Sequence, residues 1–224
     1  MDFERVLNEA TPLLMEGLLT TVLISVLSIL IGLLVGLLTC FATRSKNIIL
    51  RGISKTYVWF IRGTPMMVQA FIVYLALPQV VQMFTEFTID SFTAGLITLS
   101  LNAGAYMSEI FRGGIEAVPK GQIEAARSLG LSNARAMVKV VLPQAFKLSI
   151  PSLVNQFIIT IKDSSLLQVI GLKDLLGKGS EYVSSTFEYF STYIIVAVYY
   201  LVIISILMVV SKMLEKKLNY DKKS

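Results

Sequence analysis

Long apolar runs alternate with short polar segments along most of the chain. Five of these runs reach the length of about 20 helical residues that crosses the hydrocarbon core of a membrane. The pattern therefore predicts an all-α membrane protein with five transmembrane helices, forming one domain over residues 1–224. The predicted spans are residues 18–43, 65–84, 92–112, 144–168 and 190–213.

Lysine and arginine are distributed unevenly among the segments that join these runs. The basic segments are 44–62, 112–147 and 212–224, and the acidic segments are 2–16, 84–92 and 163–190. Basic and acidic segments alternate at every predicted crossing, and the cytoplasmic loops of membrane proteins carry the excess of lysine and arginine. The charge pattern therefore predicts an N-terminus outside the membrane, a C-terminus in the cytoplasm, and a cytoplasmic polar segment at residues 119–143.

The composition fits a lipid environment and argues against several kinds of chemistry. Hydrophobic residues make up 54% of the chain and charged residues 16%, whereas soluble domains carry roughly 25% charged residues. Histidine is absent, so the commonest general base and metal ligand is missing, and the single cysteine, Cys40, lies in an apolar run. We therefore expect no catalytic residue and no metal site. The net charge of +5 is explained by topology and attraction to anionic lipid, so we expect no nucleic-acid partner.

The polar segment 119–143 has the pattern of a structured hairpin. Pro119 suits the first position of a helix, and Gly130 suits a helix stop in the left-handed backbone conformation. Ser132 can cap a second helix that follows it directly. The pattern predicts two short helices separated by a glycine, with the second helix ending at Pro143.

Small and polar residues recur at helical spacing inside the third and fourth runs. Polar groups are expensive in lipid, so they normally face a protein interior or a cavity. Two such faces on neighbouring helices fit either a water-lined path between them or ordinary interhelical hydrogen bonds. The faces are Gly95, Thr98, Asn102, Ala105 and Glu109 in the third run, and Ser149, Ser152, Gln156, Thr160 and Asp163 in the fourth.

Three local features leave alternatives open. The segment 62–65 opens the second run with a proline, which frees backbone groups and is tolerated at a helix start or beside a water-filled cavity. Lys162 and Asp163 are adjacent opposite charges, which either partly neutralise each other and offer a carboxylate to a polar solute, or mark the outer end of a helix. Gly32 and Gly36 have the spacing that lets another helix approach closely, or they are two tolerated membrane glycines.

The polar segment also carries a spacing that resembles the EAA loop of ABC importer permeases. That loop has the pattern EAA-x3-G-x9-I-x-LP, and Glu124-Ala125-Ala126, Gly130 and Leu142-Pro143 match it, with Val140 in place of isoleucine. Further residues resemble the polar amino acid branch of that family, so the likeness covers roughly residues 17–214. They are Gly17, Thr20, Thr21, Arg62-Gly63-Thr64-Pro65, Gln69, Asn102, Ala105-Tyr106, Glu109, Arg112, Gly114-Ile115 and Lys162-Asp163-Ser164.

The resemblance implies a non-catalytic subunit of an importer in a bacterial plasma membrane. In that family two permeases, identical or paralogous, form a path, a separate ATPase subunit holds ATP and magnesium, and an extracytoplasmic solute-binding protein delivers the amino acid. This chain would bind no cofactor itself. Coupling to the ATPase is expected at Glu124, Ala125, Ala126, Gly130, Leu142 and Pro143. The candidate residues for the substrate path are Thr64, Gln69, Asn102, Glu109, Asp163 and Ser164.

The main alternative is a stand-alone secondary amino acid transporter or channel, against which stand the short length and the lack of internal inverted repeats. An intramembrane hydrolase would need two carboxyl groups at one level of the membrane. Glu109 and Asp163 are predicted at opposite ends of their spans, so they are poor partners. A scaffold would need no polar path. Which amino acid is carried, and whether two identical or two different permeases pair, stay open from these residues.

Overall fold

Helices account for all the regular secondary structure of the computed structural model, which describes residues 3–220 and the side chains of residues 3–217. Residues 1, 2 and 221–224, which belong to the predicted domain and to the charge counts of both termini, lie outside the described residues. The all-α prediction is confirmed for the described part. The helices are α1 (Phe3–Thr43), α2 (Ile48–Gly63), α3 (Met66–Phe71), α4 (Leu77–Val81), α5 (Ser91–Glu116), α6 (Lys120–Ser128), α7 (Asn133–Ala136), α8 (Leu142–Asp163), α9 (Leu175–Thr186) and α10 (Tyr189–Tyr220), with π turns at Ile72–Ala76 and Met137–Val141 and a 3₁₀ helix at Ser164–Ile170.

Three stretches of helix in the described chain are long and apolar enough to cross a membrane, and a fourth qualifies if a bent pair counts as one span. The bent pair is α2 with the stretch Met66–Val81, and their axes differ by 111°. α5 has 26 residues, but its small and polar side chains keep it outside this group. The predicted count of five and the orientation therefore stay predictions. The three stretches are Phe3–Thr43, Asn133–Ile170 and Tyr189–Lys217.

The first helix begins well before the predicted start at residue 18. Val6, Ala10 and Leu14 lie four residues apart, which places them on one face of the helix, and all three are buried. They pack with Leu175 of α9 and with residues of α10 in one apolar cluster. Residue 18 marks where the continuous apolar run begins, and the predicted span boundary stays a prediction. The helix starts earlier because its first turns are stabilised by these tertiary contacts.

The GxxxG glycines of α1 lie against α5. A Cβ atom on Gly32 would sit 3.0 Å from the Cβ of Ala103, and one on Gly36 would sit 2.8 Å from the Cβ of Met107. A side chain at either position would push the two helices apart, because nearly all real Cβ contacts are longer. The interpretation as a close helix contact is therefore confirmed, and α1 and α5 form the centre of the packed chain.

The hairpin 119–143 is formed as two helices, but its second helix does not end where the sequence predicted. Gly130 adopts φ +84°, and the Ser132 side chain accepts a hydrogen bond from the backbone N–H of Arg135, as expected for a stop and a cap. Pro119 is the N-cap residue rather than the first helical residue. The helix then continues through Pro143 to the end of α8.

A π turn explains why Pro143 does not end the helix. Proline has no N–H to donate to the carbonyl four residues earlier, so it normally breaks the ladder. Here the N–H of Leu142 bonds to the Met137 carbonyl five residues earlier, and Pro143 follows in the first turn of α8, where a missing N–H is tolerated. The same arrangement precedes Pro78, where Leu77 donates to the carbonyl of Ile72. As a result α7 and α8 form one continuous arm.

Candidate functional site

The predicted coupling hairpin, residues 119–143, has an inner and an outer face. On the inner face Ile123, Met137 and Leu142 pack against the ends of α1 and α5, in a cluster that includes Cys40 and Phe111. Such an apolar cluster holds a short helix that would be marginal alone. The hairpin is therefore a docked element of the fold.

The outer face carries most of the motif residues. Glu124, Ala125, Gly130 and Pro143 are exposed, whereas Ala126 is buried and Leu142 is half-buried in the cluster beneath. Nothing lies within 4 Å of the position that a Cβ would take on Gly130, so that glycine is required for its positive φ and not for space. The motif thus combines an inner side packed on the apolar cluster with a surface that presents one acidic residue and small residues.

Gln69 and Asn102, two candidate path residues, meet inside the protein. The Gln69 side-chain amide donates to the carbonyl of Ile61 at 2.8 Å and to the backbone and hydroxyl oxygens of Thr64 at 3.0 and 2.9 Å. Its oxygen accepts from the Asn102 side chain at 3.2 Å. Since Pro65 stands four residues after Ile61 and has no N–H, Gln69 satisfies the carbonyl that the proline leaves free. The segment 62–65 is therefore a sharp, internally satisfied bend and not a simple helix entry.

Glu109 lies at the centre of a charge cluster that joins α2 and α5. Its carboxylate is 3.2 Å from the guanidinium of Arg62 and 2.8 Å from that of Arg112, and Arg112 also pairs with Glu116 at 2.8 Å. The Arg62 guanidinium stacks over the Tyr106 ring, 5.4 Å from its centre. The Glu109 side chain is 28% exposed and both arginine side chains are 42% exposed, so the cluster is open to solvent.

This cluster lines a cavity of about 730 Å³, which we call the charged cavity. Four cationic and two anionic side chains face it, together with two aromatic rings. It can accept a charged, polar molecule with apolar parts. The lining residues are Thr43, Arg44, Lys55, Val58, Trp59, Arg62, Gly63, Tyr106, Glu109, Arg112 and Glu116.

Asp163 and Ser164, the last two candidate path residues, lie where α8 passes into the 3₁₀ helix. Asp163 is half-buried, and within the described side chains it forms no ion pair with Lys162, since adjacent residues on a helix point apart. Ser164 is fully buried and donates to Asp174 at 3.2 Å. No hydrogen bond or ion pair of the described chain links either residue to Gln69, Asn102 or Glu109.

Asp174 is the residue that the sequence reasoning missed. It is fully buried, and its carboxylate accepts from the backbone N–H of Gly177 at 2.9 Å and from the hydroxyls of Ser164 and Tyr200 at 3.2 Å each. A Cβ on Gly17 would lie 2.7 Å from the Asp174 carbonyl oxygen. We call these contacts the Asp174 hub, because they tie α1, the 3₁₀ helix, α9 and α10 together. An N-cap aspartate before the apolar turn of α9 was the available signal.

Burial raises the pKa of the Asp174 carboxyl, and the hydrogen bonds from Gly177, Tyr200 and Ser164 oppose that shift. The desolvation of the carboxylate is the larger effect, because no cation contacts it within the described side chains. The hub is thus held by neutral donors.

The small and polar faces of α5 and α8 are mostly packed. Thr98 and Thr160 are buried, and their hydroxyls donate to backbone carbonyls four residues earlier in their own helices. Ser149 does the same and also lies 3.4 Å from the carbonyl of Ile110 on α5. Ser152 is exposed. In this structure these two faces pack against other helices, and the charged cavity lies between α2 and α5 instead.

The fold, the docked hairpin and the polar residues between the helices define a membrane component of a transport system. Residues 28–220 match the family described as binding-protein-dependent transport system inner membrane component. The match covers most of the chain, so the chain belongs to this family, and the family predicted from the spacing of the hairpin is confirmed. The protein is accordingly an integral membrane permease component of the ABC transporter class.

Two similar proteins are both named as permeases for amino acids. The chain is 40% identical over 209 residues to the glutamine transport system permease protein GlnP of Escherichia coli (strain K12), covering 93% of this chain and 94% of that protein. It is 33% identical over 219 residues to the probable amino-acid permease protein YxeN of Bacillus subtilis (strain 168), covering 98% and 96%.

Solved structures show the same fold. A chain of an amino acid ABC transporter crystallised with histidines has a TM-score of 0.91 and 38% identity, covering 97% of this chain and 99% of that one. A chain of the inward-facing methionine ABC transporter MetNI has a TM-score of 0.76 at 19% identity, covering 92% and 96%. At that lower identity the likeness shows the fold alone.

Proposed function

We propose that this chain is the permease subunit of an ATP-driven importer for polar amino acids in a bacterial plasma membrane. The observation that carries the proposal is the coupling hairpin, whose inner face is anchored on α1 and α5 and whose outer face presents Glu124, Ala125 and Gly130. An exposed, rigid helix beside a membrane domain is suited to receive motion from a partner. The names of the amino acid permeases quoted above support the same cargo.

The partners follow from this assignment. A separate ATPase subunit would bind ATP and magnesium and dock on the coupling hairpin, and an extracytoplasmic solute-binding protein would deliver the amino acid. A second permease subunit, identical or paralogous, would complete the path. This chain would hold no cofactor, and it would cross the membrane five times with its N-terminus outside. The alternation of basic and acidic segments supports that orientation.

The continuity of α7 and α8 suggests how the hairpin acts. ATPase closure would displace α6, and the loop around Gly130 would pass the displacement to residue 133 and onward. Because the helix runs without a stop from Asn133 to Ile170, the motion reaches the segment that ends at Asp163 and Ser164. Leu142 packs on the apolar cluster, and Pro143 follows the π turn that keeps the helix continuous. These two residues would therefore hold the continuous helix against the cluster while it moves.

Among the candidate path residues, Glu109 has the best access to a substrate. Its carboxylate borders the charged cavity, where it can receive an α-ammonium group while Arg62 receives the α-carboxylate. Asp163 is half-buried and could serve a later step. Thr64, Gln69, Asn102 and Ser164 are engaged with protein groups here, so they would contact substrate only in another conformation.

The test of the coupling hairpin uses a pair of matched substitutions. Gly130→Asp places a side chain at φ +84°, which costs about 1–2 kcal/mol and distorts the hairpin. Gly121→Asp makes the same chemical change on α6, where no atom lies within 4 Å and φ is ordinary. In vesicles containing the permease, its ATPase and its binding protein, we expect Gly130→Asp to reduce ATP-driven uptake about 5- to 100-fold, a normal coupling energy.

Membrane insertion of both variants is measured by membrane fractionation and size exclusion. Uptake by Gly121→Asp should stay near that of the unmodified chain. Normal uptake by Gly130→Asp would remove the central claim. Substrate uptake by vesicles that contain this chain alone, without ATPase, would instead favour the stand-alone transporter.

A further inference from the structure

Helix α2 has three distinct sides. Ser54, Val58 and Ile61 face inward and are buried, whereas Ile49 and Ile53 are 69% and 65% exposed on another side. Basic residues occupy the remaining side. A helix with this division, rich in lysine and arginine and with an exposed apolar stripe, is typical of the membrane interface.

The bend between α2 and the following helices fixes the orientation of α2. The axis of α2 makes an angle of 111° with the stretch Met66–Val81. If that stretch crosses the bilayer along its normal, α2 lies about 20° from the membrane plane, since 111° exceeds a right angle by about 20°. The distribution of lysine and arginine places this surface on the cytoplasmic side.

Two cations of the charged cavity are not neutralised. Arg62 and Arg112 pair with Glu109 and Glu116. Among the described side chains, residues 3–217, those of Arg44 and Lys55 form no hydrogen bond or ion pair, although both line the cavity. An open cavity with two uncompensated positive charges favours an anionic occupant.

Trp59 stands beside these two cations. It lines the cavity and is 74% exposed, and it lies one helical turn after Lys55. Ile48, seven residues before Lys55, is on the same side and is 71% exposed. An indole ring and an exposed isoleucine beside cations match the boundary between lipid headgroups and acyl chains, where tryptophan is enriched.

We propose that Arg44, Lys55 and Trp59 form a binding site for an anionic phospholipid of the cytoplasmic leaflet. The two cations receive the headgroup phosphate, and Trp59 with Ile48 receives the start of the acyl chains. Basic pockets between transmembrane helices on the cytoplasmic side recognise such headgroups in this way. The site shares the charged cavity with Glu109 and Arg62 but uses different side chains from those proposed to receive the amino acid.

The experiment uses the chain's own reporter, because Trp59 is its single tryptophan. The full chain is reconstituted in phosphatidylcholine vesicles, into which brominated phosphatidylglycerol or brominated phosphatidylcholine is titrated. Bromine quenches tryptophan fluorescence on contact. We expect phosphatidylglycerol to quench Trp59 at a mole fraction at least about threefold lower, since a Lys or Arg near the surface attracts anionic lipid about fivefold.

Matched double variants separate a local site from a basic surface. Arg44→Gln with Lys55→Gln should abolish the preference for phosphatidylglycerol, whereas Lys46→Gln with Arg51→Gln should keep it. Both pairs remove two charges from the same segment, but only the first pair lines the cavity. The two single variants, Arg44→Gln and Lys55→Gln, should each lose part of the preference, and size exclusion checks that every variant stays monodisperse.

Several outcomes would overturn the proposal. Equal quenching by both lipids would remove the selectivity, and an equal loss in the two double variants would show a general charge effect. No quenching by either lipid would mean that protein, such as a second copy of the chain, covers Trp59. Relief of phosphatidylglycerol quenching by added inorganic phosphate would assign the two cations to a soluble anion.

Discussion

Asp174 and Glu109 are both carboxylates surrounded by polar groups, yet their environments are opposite. Asp174 is fully buried, and its donors, which include the Gly177 backbone N–H and the hydroxyls of Ser164 and Tyr200, are all neutral. Glu109 is 28% exposed at the edge of a 730 Å³ cavity, and its partners are the guanidinium groups of Arg62 and Arg112.

The difference predicts a structural role for Asp174 and a role in transport for Glu109. At the Asp174 hub every donor comes from a different element, so removing the acceptor leaves buried groups unpaired in several helices at once. At Glu109 solvent can replace a lost partner, and exposed ion pairs contribute about 0–1 kcal/mol to stability. Loss of Asp174 should therefore damage the fold, and loss of Glu109 should damage transport while leaving the fold intact.

The largest effect is expected for Asp174→Leu, which keeps the size of the side chain but removes both acceptor oxygens. The Gly177 N–H and the Tyr200 hydroxyl would lose their acceptor, with a total cost of at least about 2 kcal/mol, whereas the Ser164 hydroxyl keeps the Ile161 carbonyl at 2.9 Å. We expect a large loss of monodisperse protein and a lower midpoint of thermal unfolding in detergent. Asp174→Asn, which keeps one acceptor oxygen, is the milder control. If Asp174→Leu were as stable as the unmodified chain, the hub would not hold the helices together.

A smaller effect, confined to function, is expected for Glu109→Gln. The amide cannot pair with Arg62 and Arg112 as a carboxylate does, and we expect ATP-driven uptake to fall about tenfold, equivalent to about 1.4 kcal/mol of transition-state stabilisation. The unfolding midpoint should change little, because the side chain is partly exposed. Glu116→Gln is the matched control, since Glu116 pairs with Arg112 but is 54% exposed and has no described contact with Arg62. Equal effects on uptake in both variants would contradict the special place of Glu109.

The smallest effect concerns the pH dependence of stability. Burial raises the pKa of Asp174, so the folded state holds its proton more tightly than the unfolded state does. The stability from this residue is therefore fully present below the unfolded pKa of about 3.9 and is lost as the pH rises through the folded pKa. The unfolding midpoint of the unmodified chain, measured relative to that of Asp174→Asn, should fall as the pH increases from 4 to 7. If the difference between the two midpoints did not change with pH, the hydrogen bonds to Asp174 would cancel the effect of desolvation on its pKa.

The local signals of the hairpin were read correctly from the sequence because they depend on near neighbours. The positive φ of Gly130 and the cap at Ser132 are properties of a few adjacent residues, and the structure has both. The end predicted at Pro143 failed for the opposite reason. A proline normally breaks a helix, and only a π turn before it, supported by packing of Met137 and Leu142 on the cluster below, keeps the helix continuous.

The candidate path residues show the same contrast between features that the sequence predicts and contacts that it does not. Gln69, Asn102 and Glu109 could be singled out because polar side chains in apolar runs are costly and need a reason. Their partners could not be predicted, since Gln69 satisfies a carbonyl eight residues earlier and Asn102 is 33 residues away. Asp174 was counted only as one charge in an acidic loop, because its donors lie on elements far apart in the chain.

The sequence by itself determined the all-α class, the family and the hairpin motif, because hydrophobic periodicity, run length and capping act over a few residues. Only the tertiary structure decided which carboxylate is closed in by neutral donors and which faces an open cavity with arginines. That decision depends on the packing of α1, α2, α5, α9 and α10 against one another. The burial of each carboxylate and the identity of its partners depend on how the helices pack together, so they cannot be read from any single segment of the sequence.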